Sequence, residues 1–169
     1  VDLLAKSPPD GHTFAVVIAA YAANTTLYPK LPYDPKKDLA AVSLIGISPL
    51  VAAVNNDTPF KSAADLIDYA RKNPGKVSYG SSGNGSAVNL TTELLKSMTQ
   101  TSMVHIPYKG AAPALTDLMG GHIQLFMDAA VGLINPGKTG KVRLIGVASD
   151  TRLPALPDVP TFIEQGIKG

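Results

Sequence analysis

A stretch rich in glycine and serine, residues 80–86, holds the residues whose types and spacing could bind a ligand. It follows a short β-type run at 76–79 and precedes a helical pattern at 87–98. Glycines allow consecutive backbone N–H groups to point at one site, and a helix N-terminus adds unpaired donors with a partial positive charge. The pattern predicts a site for a carboxylate or phosphate, whose candidate contacts are Ser81, Ser82, Gly83, Asn84, Gly85 and Ser86.

A plainer interpretation of this stretch is a turn, because Gly, Ser and Asn are common turn residues and Ser86 could simply cap the helix. Stricter motifs do not fit the sequence. The spacing G-x-G-x-x-G fails at Val88, no Gly-Lys-Ser or Gly-Lys-Thr follows, and no serine lies in G-x-S-x-G. A dinucleotide fingerprint, a P-loop and a nucleophile elbow are therefore not predicted.

Composition excludes several functional classes. The 169 residues carry a net charge of +2 with scattered basic residues, which argues against a nucleic-acid partner. The absence of cysteine excludes disulfides, thiol catalysis and thiolate metal sites. The three histidines lack metal-ligand spacing, and no apolar run reaches membrane-spanning length. We therefore predict a globular protein with no metal and no cofactor.

Apolar runs and helical patterns alternate along the chain. This alternation favours an α/β architecture with a mostly parallel sheet, and Ser62 with Asp65 predicts a capping box at one helix start. Strands are predicted at 13–20, 42–47, 50–54, 76–79, 103–106, 122–128 and 142–148, helices at 22–27, 63–72, 87–98, 111–119 and from 131, and a loop at 135–140.

Ligands of such sheets bind at the carboxyl ends of the strands, where three predicted loops should meet. Besides the glycine loop, these loops contribute Tyr108, Lys109, Gly110 and Asp128. Lys109 could line a cleft or be a solvated loop charge. Asp128 could accept a hydrogen bond from a ligand amino or hydroxyl group, or only cap the next segment.

Tyr21 and Asn24 follow the predicted strand at 13–20 and could reach the cleft from a different side. Helix capping and packing are the interpretation that we favour for both residues.

Several of these segments recur in order in one family. The segments 79–86, 107–114, 117–121 and 156–161 together resemble the Bug/TctC family, the extracytoplasmic solute-binding proteins of tripartite tricarboxylate transporters. The resemblance implies a type II periplasmic-binding-protein-like fold with two α/β lobes that close on a small carboxylate. It also implies a periplasmic location, a membrane permease as partner, and the glycine loop as the carboxylate contact of the second lobe. Family ligands include di- and tricarboxylates, acidic amino acids and aromatic acids.

The same resemblance implies a division of the chain into lobes. Residues 1–55 would form part of the first lobe, residues 56–150 a nearly complete second lobe, and residues 151–169 a segment that returns toward the first. The remaining elements of the first lobe would lie outside this sequence at both ends. An open cleft or sheet edge of that kind could be covered by self-association.

Three functions remain in competition at this level. We predict a non-enzymatic receptor that captures a carboxylate for a transporter. The first alternative is a hydrolase or transferase that uses a serine of the glycine loop, with His105 as the nearest histidine that could act as a base. The second alternative is a sensing module that presents its ligand state to a partner protein.

Overall fold

The computed structural model describes residues 1–18 and 20–167. These residues form two compact units, Val1–Gly46 and Ile47–Gly169. The predicted lobe boundaries after residues 55 and 150 stay a prediction. In the described residues no helix is both long enough and apolar enough to cross a membrane.

The first unit contains two helices, α1 (Asp2–Ala5) and α2 (Ala20–Leu27). The second of these confirms the helix predicted at 22–27 and begins two residues earlier. A turn at 34–38 packs against α2, because the Tyr21 hydroxyl donates to the carbonyl of Pro35 at 2.9 Å.

The strands predicted at 13–20 and 42–47 are wrong for the described residues. Both segments carry apolar side chains, but they are non-regular and exposed; Phe14 is 68% and Leu44 is 78% accessible. Ala19 lies outside the described residues, and Ala20 begins α2. A strand needs a neighbouring strand to pair its backbone N–H and C=O groups. The described part of the first unit offers no strand as a partner.

The second unit alternates strands and helices as predicted. Its elements are β1 (Leu50–Val54), α3 (Ala63–Lys72), β2 (Ser78–Ser81), α4 (Ala87–Thr99), β3 (Val104–Pro107), α5 (Ala111–Met119), β4 (Leu125–Ala129), α6 (Ala130–Lys138) and β5 (Arg143–Ala148). The strand order in the sheet is β3-β2-β4-β1-β5.

Strand direction follows from the pairings. β2 is parallel to β3 and to β4, and β1 is antiparallel to both β4 and β5. Therefore β2, β3, β4 and β5 run in one direction, and β1 alone runs in the other. Buried apolar side chains, among them Leu66, Leu118, Phe126 and Ile145, fill the space between this sheet and its helices. The mostly parallel direction predicted from the sequence is confirmed for four of these strands.

Helix starts follow local sequence rules. The side chain of Ser62 accepts from the N–H of Asp65 at 3.1 Å, and the Asp65 carboxylate accepts from the N–H of Ser62 at 3.1 Å. This reciprocal pair is the predicted capping box, which stabilises a helix start by about 1 kcal/mol.

The loop predicted at 135–140 is wrong at residues 135–138, because α6 continues to Lys138 with Pro136 inside it. A proline removes one helical hydrogen bond, but close packing holds this end of the helix in place. A Cβ at Gly137 would lie 2.5 Å from a methyl carbon of Leu144, so only glycine allows the helix to lie this close to β5.

Candidate functional site

The carboxyl ends of the parallel strands bring the predicted loops to one edge of the sheet. β2 ends at Ser81, its neighbour β3 ends at Pro107, and β4 on the other side ends at Ala129. The pairing of Gly80 with Ile106 makes the ends of β2 and β3 level, and the pairing of Gly80 with Phe126 lets β4 extend two residues farther at the same edge. The three loops that the sequence predicts to converge therefore do so within the second unit.

The glycine loop joins β2 to α4 through two residues with positive φ, Gly83 at 129° and Gly85 at 73°. Side chains are rarely tolerated in this conformation, so the loop requires glycine at both positions. The N–H of Ser86 donates back to the carbonyl of Gly83 at 3.2 Å, which closes the turn.

Ser86 is the N-cap of α4. Its hydroxyl accepts from the N–H of Asn89 at 3.2 Å, so the Ser86 side chain caps the helix, as in the plainer interpretation of the sequence. Within residues 1–18 and 20–167, the N–H groups of Ala87 and Val88 have no hydrogen-bond partner in the protein. Two free donors at the positive end of a helix of 13 residues can bind an oxyanion without a charged side chain.

The serines of the loop differ in accessibility. Ser81 is fully buried, and its hydroxyl lies 2.6 Å from Nε2 of His105, 3.1 Å from the N–H of Gly83 and 3.0 Å from the Gly83 carbonyl. This hydroxyl is therefore engaged inside the protein, where an incoming ester could not reach it. Ser82, by contrast, is exposed. The close serine–histidine pair does not support the hydrolase alternative, because a substrate cannot reach the buried serine.

The loop that follows β3 is hydrogen-bonded to the end of β2, where the glycine loop begins. The N–H of Tyr108 donates to the Ser81 carbonyl at 3.0 Å, and its hydroxyl donates to Asp117 at 2.7 Å. Burial, with the hydrogen bond and charge of Asp117, raises the pKa of Tyr108 to about 12. Its ring also lies 3.2 Å from where a Cβ on Gly80 would be. Tyr108 thus packs on the end of β2 with its hydroxyl turned toward α5.

Lys109 is exposed, and Gly110 is the N-cap of α5 with φ at 112° and no capping side chain. Sequence reasoning missed the N–H groups of Ala111 and Ala112, which have no partner among the described residues. The run Gly-Ala-Ala-Pro could have predicted this uncapped helix start. Its glycine has no side chain that could cap the helix, and its proline has no N–H, so the two alanines supply the free donors.

Asp128 lies one residue before the end of β4, and its side chain is half-buried. Burial raises the pKa of its carboxyl, and a hydrogen bond from the N–H of Ala129 offsets part of that rise. A Cβ on Gly132 would lie 2.8 Å from the Asp128 Oδ2, so the carboxylate lies over the first turn of α6. Both predicted roles, capping and ligand contact, are compatible with this placement.

Tyr21 and Asn24 lie on α2 in the first unit, and the segment before them is not a strand. The Tyr21 hydroxyl bonds to Pro35, and the carbonyl of Asn24 accepts from the N–H of Tyr28 at 3.1 Å. Their local contacts match the packing interpretation, and a contact with a ligand stays a prediction.

Comparison with known proteins identifies the class and then the family. The sequence profile of the TctC family, described as the tripartite tricarboxylate transporter family receptor, matches residues 1–169. This chain belongs to that family. It is 36% identical over 163 residues to the UPF0065 protein in the tcbD-tcbE intergenic region of Pseudomonas sp. (strain P51), covering 96% of this chain and 48% of that protein.

Solved structures agree with the predicted fold class. An R. palustris protein solved with adipate superposes with a TM-score of 0.89 at 37% identity, covering 99% of this chain and 56% of that one. MatC from Rhodopseudomonas palustris with bound malate gives a TM-score of 0.82 at 28% identity, covering 98% and 57%. The α/β, periplasmic-binding-protein-like fold and the family resemblance are thus confirmed. The chain spans about half the length of the curated relatives that it matches.

Proposed function

We propose that this chain is the carboxylate-binding part of a periplasmic receptor that delivers a small carboxylate to the permease of a tripartite tricarboxylate transporter. The observation that carries the proposal is the pair of N–H groups without a partner at Ala87 and Val88, which lie beside a glycine loop at the carboxyl edge of the sheet. An oxyanion there would be stabilised by two hydrogen bonds and by the helix dipole. The receptor role is supported by family membership, and it requires no catalytic group.

The ligand class that we propose is a small di- or tricarboxylate. Two of the similar solved structures contain adipate and malate, which are both dicarboxylates. One ligand carboxylate would bind at the start of α4, with Ser82 and Asn84 as exposed side chains beside it. The uncapped start of α5 at Gly110, with exposed Lys109, lies on the neighbouring strand end.

Asp128 would contribute selectivity. A half-buried carboxylate beside a site for an anion repels a second carboxylate, but it accepts a hydrogen bond from a hydroxyl or an ammonium group. We propose that a ligand with a hydroxyl or amino group directs that group to Asp128.

The test is calorimetric titration with adipate and malate, and with adipamide as the uncharged control. We expect binding of at least one diacid and none of the diamide, because helix N-terminal donors discriminate by charge. Binding of neither diacid by the wild-type chain would contradict the proposal.

A matched pair of variants tests the loop. Gly85→Val places a side chain at a positive φ of 73° inside the loop, and Gly75→Val does the same at 71° in a turn elsewhere. Since φ is similar at the two positions, both variants should lose comparable stability, but only Gly85→Val should lose binding, by at least about tenfold. Equal affinities in the two variants would show that the loop does not bind the ligand.

A further inference from the structure

Two chains of contacts hold the glycine loop, and both include Tyr79. This residue lies on β2, immediately before the loop, and its side chain is fully buried. Its ring stacks on the His105 ring with the centroids 4.8 Å apart and an angle of 19° between planes. Its hydroxyl points to Glu93 and Asn89 on α4.

The first chain runs from the ring of Tyr79 to Gly83. His105 is held against the ring, and its Nε2 lies 2.6 Å from the Ser81 hydroxyl. That hydroxyl contacts both the N–H and the carbonyl of Gly83, at 3.1 and 3.0 Å. The peptide groups around the first positive-φ glycine are thus fixed by a buried serine and its histidine.

The second chain runs from Lys96 to Gly85, and its proton positions follow from chemistry. Lys96 donates to both oxygens of Glu93, at 2.7 and 2.9 Å. An ionised carboxylate accepts only, so the Tyr79 hydroxyl must donate to Glu93, which it does at 2.5 Å. The Tyr79 oxygen is then left to accept from Asn89 Nδ2, at 2.9 Å.

This order of donors decides which way the Asn89 amide faces. With its Nδ2 on Tyr79, its Oδ1 must face the loop, where it accepts from the N–H of Gly85 at 3.0 Å. A flipped amide would set a donor against a donor at Gly85. Burial acts to raise the pKa of Glu93, but hydrogen bonds from Lys96 and Tyr79 outweigh it and hold that pKa below its usual value. The carboxylate therefore stays an acceptor at neutral pH.

We propose that Tyr79 is the positioning residue of the carboxylate loop, acting on Gly85 through Asn89 and on Gly83 through His105 and Ser81. Its role in ligand affinity rests on the function proposed above. A loop whose peptide groups are held before the ligand arrives loses less conformational entropy on binding. Neither Tyr79 nor Asn89 needs to touch the ligand for this effect.

Tyr79→Phe is the sharpest variant, because it keeps the buried ring and its stacking on His105 and removes only the hydroxyl. The Asn89 amide then loses the contact that sets its orientation. We expect adipate or malate, whichever the wild-type chain binds, to bind about tenfold more weakly, which corresponds to the loss of about one hydrogen bond. The matched control is Asn73→Ala, which removes an amide-to-carbonyl bond of 3.0 Å at the end of α3. It should bind as the wild type does, at a similar loss of thermal stability.

A second measurement follows the N–H of Gly85 by NMR hydrogen exchange without any ligand. Exchange at Gly85 should accelerate by about tenfold or more in Tyr79→Phe and remain unchanged in Asn73→Ala, since only the first variant weakens the bond to Asn89. Unchanged exchange in Tyr79→Phe overturns the proposal, and so does wild-type affinity for the diacid. If the wild-type chain binds neither diacid, the proposed function fails, and the exchange result alone decides whether Tyr79 positions the loop.

Discussion

At the scale of single residues, the polar side chains of the site divide into those that build the loop and those that face solvent. The hydroxyls of Ser81 and Ser86 bond to backbone groups within two or three residues, so they shape the loop and start the helix. Ser82 and Asn84 are exposed. The donors best placed for an oxyanion are therefore backbone N–H groups, whose position does not depend on side-chain rotamers.

Asp128→Asn tests the residue that we assign to selectivity. Burial raises the pKa of Asp128 in the folded state, so between the unfolded and the folded pKa the folded state binds more protons than the unfolded state. The free energy of unfolding should therefore fall as pH rises through this window, and Asp128→Asn should remove that slope. Urea unfolding across the acidic to neutral range measures it.

In the same variant we expect the affinity for malate to fall relative to that for adipate, because the hydroxyl acceptor is weakened. An unchanged pH slope would reject the burial argument, and an unchanged ratio of affinities would reject the selectivity role.

At the scale of elements, the site repeats one unit: a parallel strand, a short loop and a helix that starts at the same edge. β2–α4, β3–α5 and β4–α6 all have this form, but their helix starts differ in capping. α4 is capped by Ser86, α5 begins at a glycine without a capping side chain, and a carboxylate lies over the start of α6. The carboxylate of Asp128 opposes an anion at the start of α6, so the starts of α4 and α5 are the better candidates for anion binding.

Ser62→Ala tests whether local capping stabilises the unit that carries the site. The capping box of α3 lies outside the binding loops, so its loss should lower the free energy of unfolding by about 1 kcal/mol without changing ligand affinity. Denaturant unfolding measures the change, and Ser97→Ala on the exposed face of α4 is the control. A loss of affinity in Ser62→Ala would mean that the loops depend on the stability of α3.

At the scale of the whole molecule, the two units differ in how well their apolar residues are covered. The second unit buries its apolar side chains between sheet and helices, whereas Val16, Ile18, Leu44 and Ile45 of the first unit are each at least 70% accessible. Large exposed apolar patches mark an interaction site or a tendency to associate, and these residues are the candidates for such a patch.

We therefore expect this chain to self-associate through the exposed segments 14–18 and 42–45. Sedimentation equilibrium should show an average mass that rises with protein concentration, and Val16→Asp with Ile45→Lys should shift it toward the monomer, because each charge would be desolvated at the contact. Ala112→Lys, on an exposed helix position of the second unit, is the control. A strictly monomeric mass at high concentration would contradict this expectation.

The features that the sequence alone determined are local ones. The capping box of Ser62 and Asp65, the glycine loop at 80–86 and the helix at 111–119 each depend on residues within a few positions of one another, so the pattern contains the cause. The α/β alternation and the convergence of loops followed from the same patterns together with general rules of parallel sheets.

Only the tertiary structure determined the features whose interaction partners are distant in the sequence. The apolar segments at 13–18 and 42–47 have strand composition but no strand beside them in the described residues, whereas Leu50–Val54 pairs with strands more than 70 residues later. The sequence likewise did not predict that Tyr79, Asn89 and His105 support the loop, since those side chains meet only when β2, β3 and α4 pack together. Hydrogen-bond partners need only be close in the folded structure. A local sequence pattern therefore predicts a hydrogen bond only where the two partners are also close in the chain.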